Sequence, residues 1–141
     1  MRGIEALIKI HTFELDEKRR ALKQVEEFRQ SIESSISQLE GQVINEQDAA
    51  RHSEEGIYAY GGFAQSVIQR RAALQQSLAS VTEQVDTARD AVAQAFETLK
   101  KYEITKAGRD SEALAESRRR ERILLDELGL NAHSRTRGTS P

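Results

Sequence analysis

The side chains that could do chemistry in this chain of 141 residues are its three histidines, its 23 acidic residues and its 21 basic residues. No pair among His11, His52 and His133 has metal-ligand spacing. Cysteine is absent, which excludes disulfides, thiolate metal sites and thiol nucleophiles. The glycines form no phosphate loop, because neither G-x-x-x-x-G-K nor G-x-G-x-x-G occurs. Carboxylates are plentiful, but on a solvated helix surface they are not desolvated into an acid/base pair. The sequence therefore predicts no catalytic site, no metal and no cofactor.

Two groups of residues suit binding instead. Arg118, Arg119, Arg120 and Arg122 form the one dense basic run, and Leu124, Leu125 and Leu128 follow it at helical spacing. A basic stretch followed by an unpaired apolar stripe is how a helix docks in a groove; the plainer reading is a solvated helix face. Nucleic acid is not the expected partner, since no aromatic residues interleave for base stacking and the net charge is −2. The second group is Tyr58, Tyr60 and Phe63, with Ile57. It reads either as a local plug at a chain reversal or as an exposed anchor, aromatic residues being enriched at interfaces. Leu7, Ile10, Phe13 and Phe28 form a third set that falls off the main apolar stripe and points away from any helical partner.

These residues must be positioned by helices. The chain is 38% hydrophobic, 31% charged and 5% aromatic, and its single proline is the last residue. An apolar fraction below the usual ~45–50% argues against a conventional globular core and an enclosed pocket. Residues 1–62 hold 8 basic and 12 acidic side chains, and residues 63–141 hold 13 and 11. The longest uncharged stretch, Gly56 to Gln69, has 14 residues, short of the ~20 that a membrane span needs. Glu5 and Lys9 interrupt any signal-peptide-like run.

The organising signal is a period of seven. In the first half one seam position falls on Ile8, Leu15, Leu22, Arg29, Ile36, Val43 and Ala50. Its companion falls on Ile4, His11, Lys18, Val25, Ile32, Leu39 and Glu46. In the second half Leu74, Leu78, Val81, Val85, Ala88, Val92, Ala95, Leu99 and Tyr102 step by four and three without a miss. Backwards this register reaches Val67 through Arg71, and forwards it turns polar at Lys106 and Arg109. Such stripes are coiled-coil seams. Gly61 and Gly62 between them are the strongest reversal signal. The expectation is an all-α fold: a long antiparallel two-helix coiled-coil hairpin over 1–128, with helix from about 4 to 55, a turn at about 56–62 and helix from about 63 to 128. Symmetry about residue 59 would place Ile4 near Leu114 and leave a C-terminal helical overhang. Residues 129–141 are expected to be a disordered tail, and the free protein to be a monomer, since its two seams satisfy each other.

The chain also resembles a known family, the FliJ proteins of the bacterial flagellar export apparatus. The opening from Leu7 to Leu22 is similar to the family's start, a short apolar turn followed by an Arg/Glu/Ala-rich helix. Tyr60-Gly-Gly-Phe63 with Val67 is similar to its Tyr-x-x-Phe element after the turn. The stretch from Arg70 through Leu78 to Val92 is similar to its regular second helix, and the close Arg118-Arg-Arg-Glu-Arg-Ile-Leu-Leu-Asp-Glu-Leu128 to its basic end. The resemblance covers most of residues 4–128. It implies a non-enzymatic stalk that inserts its terminal helical end into the hexameric export ATPase, FliI, and touches the cytoplasmic domain of the gate protein FlhA. It also implies help in escorting export chaperones with their substrates, in the cytoplasm at the inner face of the membrane. On this reading the 115–128 helix and the N-terminal cluster face the ATPase, and Tyr58, Tyr60, Phe63 and Val67 are the gate contact. The stalk of a virulence type III secretion system and a self-associating coiled-coil scaffold are the alternatives.

Overall fold

The computed structural model of the chain describes residues 2–138. The described residues form two helices, α1 (Arg2–Ala50) and α2 (Glu54–Gly138). They pack as the expected antiparallel hairpin of two long helices, through the seams that the period of seven marks. The buried hydrophobic residues are Ile4, Leu15, Ile32 and Leu39 on α1 and Val67, Val81, Val85 and Leu99 on α2. Every one lies on the expected stripes. Most other seam residues are half-buried, including His11, Arg29, Arg71 and Lys106, while Lys18, Glu46 and Arg109 stay exposed. Each polar member solves its position differently. His11 Nδ1 lies 3.1 Å from Glu14 Oε2, and Arg29 Nε lies 3.8 Å from Glu33 Oε1, each along its own helix. Long side chains lay their stems on the seam while their charge stays wet.

The chain divides into two compact units. One comprises residues 11–97, with the reversal inside it; the other comprises the described residues up to 10 and from 98 onward. In the first unit Ser35, Gln38 and Gln42 of α1 share a groove with Arg70, Ala73 and Leu74 of α2. Farther from the reversal, Lys18, Ala21 and Val25 share one with Gln84, Ala88 and Ala91. Arg89 reaches across to Glu26 at 3.6 Å. In the second unit Glu5, Ile8 and Lys9 line a groove with Glu103, Lys106, Ala107 and Asp110.

This register corrects the expected pairing of Ile4 with Leu114. The first turns of α1 lie opposite residues 103–110, and Leu114 is 52% exposed. The cause is the position of the reversal, which lies at Arg51, His52 and Ser53 and not at 56–62. α1 tightens at its end, where the amides of Arg51 and His52 donate to the carbonyls of Asp48 and Ala49. Ser53 then caps α2: its Oγ accepts from the amide of Gly56 at 2.9 Å, and Glu54 and Glu55 place negative charge on the first turn. Gly56 is needed for close approach, since a Cβ there would meet the Ala49 carbonyl oxygen at 2.7 Å. Gly61 and Gly62, by contrast, sit inside α2 with ordinary helical φ and open space around them. Their helix cost is about 1 kcal/mol each. It is offset by the seam that the helix carries past them, where Tyr60 and Phe63 are half-buried and Val67 is buried.

Beyond Asp110, α2 has left α1 behind. From 111 to 134 every residue is exposed except the half-buried Glu116. The helix continues to Gly138, ten residues past Leu128, into the stretch for which the sequence suggested no regular structure. No proline interrupts it, because the only one is Pro141. The last three residues of the expected tail, 139–141, lie outside the described residues.

Val85 is fully buried, so Val85→Asp places an uncompensated charge in the seam. That should cost about 3 kcal/mol or more, lowering the melting temperature by roughly 10 °C. Val92 is only half-buried, and Val92→Asp should cost less. Thermal melts followed by circular dichroism give both values; equal shifts would contradict the register. The same measurement separates the glycines. Gly61→Ala with Gly62→Ala should stabilise by about 2 kcal/mol, whereas Gly56→Ala should destabilise, because its Cβ has no room.

Candidate partner-binding surfaces

The first surface is built by α2 after its seam ends. In the unit that holds this stretch, Glu103, Ala107 and Asp110 face the α1 groove. Steps of four and three from Asp110 run on to Leu114, Ser117, Glu121, Leu124 and Leu128, one residue beside the continuation of the seam itself, which passes Ala113, Glu116, Arg120 and Ile123. Beyond Asp110 this flank of α2 is bare. Leu114, Leu124 and Leu128 are 52%, 56% and 56% exposed, and Leu125 beside them 65%. Glu121 stands within this apolar line and is exposed.

The four arginines are not equivalent. Arg119 and Arg120 both turn back to Glu116: Arg119 Nη2 donates to its carboxylate, and Arg120 Nε lies 3.4 Å from Glu116 Oε1. Arg118 and Arg122, four residues apart, form no ion pair among the described residues and edge the leucine line. Their guanidinium groups are open to a carboxylate from another molecule. The sequence showed the run but not this division, which depends on which rotamers reach Glu116. Ile123 and Leu130 are also exposed, but about half a turn away from the leucine line.

The second surface lies beside the reversal. Tyr58 is 91% exposed, Ile57 64% and Ile68 66%. Tyr60 is half-buried, and its hydroxyl accepts from Gln47 Nε2 at 3.1 Å. Its ring and that of Phe63 are 6.4 Å apart and tilted by 42°. Val67 is 5% exposed and belongs to the seam, so it is not an accessible part of this surface. The structure brings Tyr60, Phe63 and Val67 together along one line of a shallow groove with Val43 and Gln47, and leaves Tyr58 standing outward. Tyr60 and Phe63 thus pack beside the reversal, and Tyr58 projects.

Off the seam, Leu7, Ile10, Phe13 and Phe28 are 39%, 52%, 64% and 57% exposed, as their spacing required. Phe28 rims a groove whose α2 wall is Ala73, Ser77, Ser80 and Gln84. That small, uncharged wall was missed in the sequence, because it is visible only once the two helices are paired. On the opposite flank the ion pair between Glu26 and Arg89 bridges the helices.

The grooves are open troughs between two helices, and no cluster of three His, Cys, Asp or Glu side chains suited to a metal occurs among the described residues. No helix of the described residues is long and apolar enough to cross a membrane. What the arrangement offers is helix-mediated recognition: a leucine line with two available arginines, and an exposed tyrosine on an aromatic base. Comparison with curated proteins and with solved structures gives no match. The family comparison does, and with the helical hairpin and its seams in place it accounts for nearly the whole chain: the model of the flagellar FliJ protein matches residues 1–138, so the chain belongs to the FliJ family and is a flagellar protein-export component.

Proposed function

We propose that the chain serves as the stalk of the export ATPase ring, without catalytic activity of its own. The observation that carries this reading is the stretch of α2 after Asp110, which has lost its α1 partner yet keeps Leu114, Leu124, Leu125 and Leu128 in line beside Arg118 and Arg122. A helix with a bare apolar line and two open guanidinium groups fits a groove with an acidic rim. The lumen of a hexameric ATPase of the FliI kind would supply such a groove. The family supports the machine, and the helix supports the mode of contact.

The surface of Tyr58, with Tyr60 and Phe63 beneath it, is proposed as the contact with the cytoplasmic domain of an export gate of the FlhA kind. Val67 supports that surface from the seam. Delivery of chaperones with their substrates, a monomeric free state and a cytoplasmic place at the inner face of the membrane belong to the same proposal.

The test is binding of the purified chain to the hexameric ATPase. Arg118→Glu with Arg122→Glu should weaken binding about tenfold or more and flatten its salt dependence, since charge-assisted contacts are lost. Arg119→Glu with Arg120→Glu should do less, as those side chains already serve Glu116. Helicity should stay near its original value in both. Unaltered affinity in the first variant removes the docking proposal for this stretch.

A further inference from the structure

We propose that the hairpin has a second register, in which α2 slides by one heptad along α1 and the reversal moves from residues 51–53 to the Gly61-Gly62 pair. The inference rests on residues 11–97, although the slide carries the whole of α2 with it, and it needs no assumption about a partner.

Four observations converge on it. The seam tolerates the move. Val67, Leu74, Val81 and Ala88 are seven apart, as are Leu78, Val85 and Val92, so along this stretch a slide of seven replaces one apolar partner by another; farther on it would bring Lys106 to the place of Leu99. The seam also lacks the usual register lock, because no buried polar or charged side chain occurs among the described residues. Next, the lengths agree. A slide of one heptad lengthens the connection by seven residues, and unwinding seven residues from Glu54 leaves α2 starting at Gly61. Those seven contribute little burial: Gly56 and Tyr60 are half-buried and the other five are exposed. Finally, Gly61 and Gly62 have no packing reason to be glycine. A Cβ at either would meet nothing within 4 Å, so the pair weakens α2 at the one place where the slid register needs a helix start.

The observed register is held by contacts that the slide would break. Gln47 would lose the Tyr60 hydroxyl, and Glu26 would face Phe96 where it now has Arg89. The alternative is thus the minor state. A slide of seven residues displaces α2 by about 10 Å along α1, a ratchet of one packed element past another. It also unwinds the segment that carries Ile57 and Tyr58. Any partner that grips Tyr58 in its helical form holds the observed register, and any that prefers the segment extended releases the slide.

Cysteine cross-linking tests this directly, since the chain has no cysteine of its own. Ser35 and Ala73 line one groove, and Ala73, Ser80 and Thr87 follow one another by heptads along the same flank of α2. Three double variants of the full chain are oxidised at low concentration and intramolecular disulfide is followed. Ser35→Cys with Ala73→Cys reports the observed register and should close fastest. Ser35→Cys with Ser80→Cys reports the slid register. It should close more slowly, but about tenfold or more faster than Ser35→Cys with Thr87→Cys, which needs two heptads and serves as the background. Adding Gly61→Ala and Gly62→Ala should slow the Ser80 pair about tenfold and leave the Ala73 pair unchanged, which also shows that the variant is folded. A Ser80 pair no faster than the Thr87 pair overturns the second register. A Ser80 pair indifferent to the glycine replacements overturns the role given to Gly61 and Gly62.

Discussion

The structure depends on one interaction, the burial of the α1 seam against the α2 seam. Two isolated helices with this composition would have little to hold them, because most helical stability in proteins comes from packing an apolar face. Here each helix presents about two apolar residues in seven, and the buried positions, from Ile4 to Leu39 and from Val67 to Leu99, all lie on that stripe. Polar residues on the seam are at most half-buried, and some meet a carboxylate on their own helix, as Arg29 does with Glu33 and Lys106 with Asp110. Everything else about the molecule follows from where the two stripes meet and where one of them runs out.

Where they meet is decided at the reversal. Ser53 caps α2, Glu54 and Glu55 favour its positive end, and Gly56 lets its first turn pass close to the end of α1. These contributions are each small, and so is the cost of keeping Gly61 and Gly62 in a helix. A reversal chosen by a balance of small terms, above a seam that repeats every seven residues, is the physical origin of an accessible second register.

Where the α1 stripe runs out is decided by the same alignment. With the first turns of α1 opposite residues 103–110, the α2 line from Leu114 to Leu128 has no partner among the described residues. The proposed docking of this stretch rests on that uncovered apolar line and on the open guanidinium groups of Arg118 and Arg122 beside it. Membership of the FliJ family makes the chain a flagellar protein-export component.

The sequence by itself determined the helices, the seams, the buried residues and the exposure of Phe13 and Phe28, since helical spacing alone assigns a side chain to the seam or to water. It also showed the residues of both candidate surfaces. Only the structure showed that the chain turns at Arg51, His52 and Ser53, that Val67 lies in the seam beneath the aromatic surface, and, through side-chain conformations along a single helix, that Glu116 engages Arg119 and Arg120 but leaves Arg118 and Arg122 open. The reason is that a period of seven defines each stripe but leaves its partner undetermined by whole heptads. That choice lies in the capping by Ser53 and the close approach of Gly56 to the end of α1, which a repeat of seven does not encode.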